Sequence, residues 1–96
     1  MVIGALRIEL YIDGNRSLKG KRQMLRSVIQ RVKSRFGNVS ISEVDSQDLW
    51  QRATIGVSFV SNDAPYVNSV LDQVSGFIES MGIVQIVSRD LEIIHF

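Results

Sequence analysis

Apolar and polar residues alternate at the start of the chain, with Leu6, Ile8, Leu10 and Ile12 on one side and Arg7, Glu9 and Tyr11 on the other. This is the period of a half-buried strand, expected over residues 2–12. Asp13-Gly14-Asn15 ends it with turn-forming chemistry. From Ser17 the period lengthens. Leu18, Leu25, Val28, Ile29, Val32 and Phe36 gather within about 100 degrees on a helical wheel, which predicts an amphipathic helix that stops at Gly37-Asn38. Val39 and Ile41 alternate with Ser40 and Ser42 in a second strand, Asp45 to Arg52 read as a polar loop, and Ile55, Val57 and Phe59 alternate in a third strand. Asp63 is suited to cap a second helix with Pro65 in its first turn, along which Val67, Val70, Leu71, Val74, Phe77, Ile78 and Met81 recur up to Gly82. The Ile- and Val-rich tail from Ile83 to Phe96 predicts a last strand, whose alternation changes phase around Ser88 to Asp90 as at a bulge.

Strand, helix, strand, strand, helix, strand packs most simply as two helices on one face of a four-stranded antiparallel sheet, the α+β, ferredoxin-like βαββαβ arrangement. At 96 residues the chain has the length of a single domain, 1–96, with one core. Its 45% hydrophobic and 22% charged residues and lone proline describe an ordered globular chain. In this topology the first two strands run in the same direction. The start of the first helix therefore lies near the loop between the second and third strands, about 10 Å away at the usual strand spacing.

Charge changes the picture more than composition does. Between Asp13 and Glu43 there is no acidic residue, yet Arg16, Lys19, Lys21, Arg22, Arg26, Arg31, Lys33 and Arg35 fall there, in a chain whose net charge is only +1. Such local asymmetry attracts an anionic partner to one face. Charged stems that border a helix's apolar stripe are commonly solvated edges of a core. That account leaves Lys19, Lys21 and Arg22 unexplained, because the opening turns of a helix already carry a positive dipole and favour acidic residues by about 0.3 to 1 kcal/mol each. Backbone amides and cations together at a helix start suit a phosphate, and Gly20 lets a ligand approach the backbone. Ser17 is expected at the helix cap.

The loop Ser46-Gln47-Asp48-Leu49-Trp50-Gln51-Arg52 contains the only tryptophan. Trp50 has two readings, a platform on which a base stacks, with Arg52 on phosphate, or a lid over the end of the core. Tyr11, on the open sheet face, is a weaker platform, and Tyr66 falls at the start of the second helix. The expected anion or nucleic-acid site is thus Arg16, Ser17, Lys19, Lys21, Arg22, Arg26, Trp50 and Arg52. Recognition across the open sheet face is not expected, because the third strand presents Thr54, Gly56, Ser58 and Val60 where stacking aromatics are needed.

With Ser17-Leu18-Lys19-x-Lys21-Arg22, Gln47-Asp48-Leu49-Trp50-Gln51-Arg52-Ala53 and Val60-Ser61-Asn62-Asp63, the chain resembles the YlxP-like family of small bacterial proteins over essentially its full length. The Leu-Trp-Gln-Arg loop is the specific part of the match. The resemblance implies a ferredoxin-like fold. It also implies an RNA- or ribosome-related role, since genes of this family often lie among those for transcription, translation initiation and ribosome maturation factors. It carries over no catalytic residues, and Gly20 stands where relatives are expected to have an acidic residue.

Other chemistry has little support. The chain has no cysteine and one histidine, His95 next to the end, so neither a zinc cluster nor a hydroxyl-histidine-carboxylate triad is expected. Glu43, Asp45 and Asp48 have the oxygen ligands of a weak divalent-cation site but read more simply as a solvated acidic loop or as partners of Arg52, and no metal or cofactor is predicted. An acylphosphatase-like enzyme would use Arg16 and Asn38, but that family's glycine-rich loop is absent. No enzyme is therefore expected. The lack of a signal-like leader or a membrane-length apolar run places the expected location in the cytoplasm. Two readings of function follow, an RNA- or ribosome-binding module and a homodimeric interaction module that uses the open sheet face or an edge strand.

Overall fold

A computed structural model describes residues 1–14, 16–46 and 49–96. The elements are β1 (Val2–Tyr11), α1 (Leu18–Arg35), β2 (Ser40–Asp45), β3 (Arg52–Ser61), α2 (Ala64–Ser80) and β4 (Gln85–His95). The four strands form one antiparallel sheet in the order β2-β3-β1-β4. β1 and β3 are central and β2 and β4 are edges, so the chain has the expected ferredoxin-like arrangement.

The two helices cover one face because their apolar stripes match the inward residues of the strands. Leu25, Val28 and Val32 of α1 and Val67, Leu71, Val74 and Ile78 of α2 are buried against Leu6, Ile8, Leu10, Ile55, Val57 and Phe59. α2 lies so close to β1 that a Cβ added at Gly4 would run into the side chains of Val67 and Leu71. The absent side chain there sets the helix-to-sheet distance. Phe36, just beyond α1, meets Phe77 of α2 edge to face at 5.8 Å between ring centroids, which ties the two helices together at the end opposite the start of α1.

Both helix starts fall where the sequence places them. Ser17 is extended, at φ −152°, and its Oγ accepts from the Gly20 N–H at 3.0 Å. Asp63 stands at the cap of α2, with no hydrogen bond from its side chain. Gly82, which follows that helix, has φ +71°, the left-handed conformation that glycine adopts without a Cβ penalty.

The edge strands contain two bulges, one unexpected in β2 and one expected in β4. In β2, Glu43 pairs with Ile55 and Asp45 with Thr54, so Val44 is the additional residue and the strand reaches Asp45. In β4, Ser88 pairs with Glu9 and Ile86 with Leu10, which makes Val87 the additional residue. The expected phase change therefore sits just before Ser88. β3 starts at Arg52, so the intervening loop is residues 46–51. Gly56 and Ser58 are half-buried on the open face and Val60 is exposed, which leaves that face without an aromatic ladder.

Candidate nucleic-acid interface

The start of α1 and the β2–β3 loop are joined by one side chain. Lys21 is 1% exposed, and its Nζ donates to the Ser46 carbonyl at 2.5 Å and lies 3.1 Å from Glu43 Oε2. Its position explains this. Lys21 stands four residues before Leu25 and seven before Val28, on the same stripe that faces the sheet. Glu43 alternates with the buried Ile41, so it also points inward. The contact with Glu43 is an ion pair without hydrogen-bond alignment, whereas Ser46 supplies the aligned acceptor. The expectation that Lys21 stands with Lys19 and Arg22 as a solvent-facing cation is corrected: its charge is neutralised inside the protein.

Ser46 extends the tether into a network. Its φ is +62°, uncommon for a residue with a side chain. Asp45 Oδ1 accepts its N–H at 2.7 Å. Ser46 Oγ lies 3.3 Å from Thr54 Oγ1, and the buried Thr54 hydroxyl donates to Glu9 Oε2 at 2.8 Å. The far side of the loop is held to β1, where the Ile12 N–H donates to the Gln51 carbonyl at 2.8 Å. The sequence reading gave Glu9, Ser46 and Thr54 no part in the site. It placed Glu43 in a solvated acidic loop or in a pair with Arg52, whereas its partner is Lys21. The signal that finds the pair is an opposite charge at an inward position on each of two neighbouring elements.

The remaining expected residues are placed at or near this end. Arg16, Lys19, Arg22, Arg26 and Arg52 are all exposed. Arg52 pairs with Tyr11 at the end of β1, from which the chain turns through Gly14 toward α1. Among the described residues the ion pairs are Lys21–Glu43 and Arg89–Asp72, so none of these five cations is neutralised by a carboxylate there. The first turn of α1 contains no acidic residue. Trp50 is 54% exposed and Leu49 50%, so the tryptophan does not seal the core. Ser17 serves as the helix cap: its Oγ occupies the Gly20 amide, one of those a helix start leaves open, while its carbonyl accepts the Lys21 N–H at 3.1 Å as the first bond of the helix itself. Arg26 sits about two turns into α1, at a rise of about 1.5 Å per residue, with Arg22 along the groove beside β2.

The start of α1 carries exposed cations and the β2–β3 loop an exposed indole, side chains of the types that contact phosphate and stack on rings. Among the described residues, no group of three or more His, Cys, Asp or Glu side chains converges as a metal site; Asp48 of the expected acidic loop lies outside the described residues. Within the same residues no helix is long and apolar enough to cross a membrane.

Comparison with known proteins fits this geometry. A de novo designed protein with a ferredoxin fold superposes with a TM-score of 0.62 at 13% identity, over 96% of this chain and 86% of its own. A second designed protein, Foldit4, superposes at 0.52 with 9% identity, over 99% and 97% of the two chains. The protein named "Uncharacterized protein YlxP" from Bacillus subtilis (strain 168) is 40% identical over 79 residues, 82% of this chain and 85% of that one. Residues 3–91 match the family model described as "Protein of unknown function (DUF503)". These matches establish that the chain belongs to the DUF503 family.

Proposed function

We propose that this protein is an RNA-binding module, active on RNA or at the ribosome, that binds with the end of the domain formed by the start of α1 and the β2–β3 loop. The observation that carries the reading is the buried Lys21 tether. It docks the loop bearing Trp50, which leads into Arg52 at the start of β3, against a helix start whose exposed Arg16, Lys19 and Arg22 have no carboxylate partner among the described residues. Phosphates supply the charge these cations lack, and an unstacked base lies against Trp50. The protein acts here by binding, with no catalytic step, cofactor or metal, in the cytoplasm. Titration of a labelled single-stranded RNA at several salt concentrations tests this. With about four phosphate contacts, log affinity falls against log salt with a slope near about −2.8. Absence of binding at low salt overturns the reading.

A second reading, self-association through the open sheet face, is favoured by Val60, Ile94 and Phe96, exposed at 53%, 39% and 85%. Val60 and Ile94 both pair with Ile3, so they flank it on that face, one strand to either side. Light scattering that gives a monomer at every concentration removes it.

A further inference from the structure

We infer that the groove between α1 and the edge strand β2 guides a single strand of RNA away from the Trp50 end, and that Lys33 is a phosphate-binding residue of that path. The inference rests on the RNA reading above and assigns it a strand type and a direction. The groove has a volume of about 400 Å³ and is lined by Arg22, Arg26 and Lys33, with Leu25 and Ile29 at its floor and Glu43 at its edge. Arg22, Arg26 and Lys33 are exposed and unpaired among the described residues.

Glu43 is the one acidic residue among those lining residues. Its charge is already matched by Lys21 at 3.1 Å. The groove therefore keeps the field of three cations despite the carboxylate at its edge. Lys19, Arg22, Arg26 and Lys33 follow one side of α1 over about 21 Å, at about 1.5 Å per residue, and continue the positive surface from the helix start.

The shape selects the strand. The groove is concave, with apolar side chains below and cations along one rim, which accommodates unpaired bases beside a tracked backbone. An A-form duplex offers no comparable fit, because its major groove is too deep and narrow for protein side chains to read and its bases are paired away from the floor. A strand stacked on Trp50 and continued along α1 brings its phosphates past Arg22 and Arg26 to Lys33.

Fluorescence anisotropy with a labelled RNA of about 12 nucleotides, single-stranded or annealed as a duplex, tests the path. The single strand is expected to bind more tightly. Lys33→Gln is expected to reduce the magnitude of the salt slope by about 0.7, one single-strand phosphate contact, and Lys33→Glu to weaken binding further. Arg31→Gln, on the opposite flank of the helix, leaves the slope unchanged. Thermal unfolding changes little in Lys33→Gln and Arg31→Gln, since both positions are exposed, while Lys33→Glu, which puts a carboxylate in the last turn of α1, lowers it slightly.

A wild-type slope retained in both Lys33 variants, while Arg16→Gln lowers it, overturns the groove path and leaves the end-of-domain reading standing. Equal losses for Arg31→Gln and Lys33→Gln overturn it by showing an effect of net charge alone. Tighter binding of the duplex also overturns it. If the wild-type protein binds neither RNA, the parent reading has failed and the groove path falls with it.

Discussion

Lys21 stands at the centre of the site without facing a ligand. Removing one partner of a buried ion pair leaves the other uncompensated, which costs about 3 to 5 kcal/mol. Glu43 is 23% exposed and partly solvated, so Lys21→Met is expected near the lower end, about 3 kcal/mol in urea unfolding. Adding Glu43→Leu should recover part of the loss, because neither charge then remains buried. A loss under about 1 kcal/mol for the single variant would show that the tether contributes little. Trp50→Ala makes the opposite prediction. The indole is half exposed, so thermal stability should hold while RNA affinity falls by about 1 to 3 kcal/mol, the usual worth of one stacked base. A lower melting temperature with unchanged affinity would assign Trp50 to the fold. The two residues also mark how far single positions could be read. The charge run was plain in the sequence, but Lys21 was read with its charged neighbours instead of with Leu25 and Val28, whose stripe it shares.

At the scale of elements, helix starts and strand periods were legible because each depends on nearby residues. Ser17 is the clearest case, and Ser17→Ala should cost about 1 kcal/mol through loss of the bond to the Gly20 amide. An unchanged melting temperature would contradict that role. The bulges at Val44 and Val87 were legible only in part. A bulge is a relation between two strands, and the alternation within one strand records a phase change without stating which residue is additional. Gly4 depends on distance in space as well. A glycine inside a strand marks a bulge or a close approach without saying of what, and the approach of Val67 and Leu71 makes Gly4→Ala an overpacking change, expected to cost about 1 to 3 kcal/mol in urea unfolding. Tolerance of alanine there would mean that α2 moves away freely.

At the scale of the whole molecule, a net charge of +1 conceals an uneven distribution along the chain, with eight Lys and Arg and no acidic residue between Asp13 and Glu43. The ferredoxin-like topology turns a run of sequence into a surface. It sets the first helix beside a loop some thirty residues later in the chain, and the Lys21 network fastens the two. The order of elements was sufficient to foresee that proximity, while the internal neutralisation of one of the eight cations was not, since it depends on which way a side chain enters the core. The account stands on the exposed cations of this end acting together on phosphates. The salt dependence of single-stranded RNA binding tests it most directly: it predicts binding at low salt with a log–log slope near about −2.8, and either no binding there or an affinity independent of salt would contradict it.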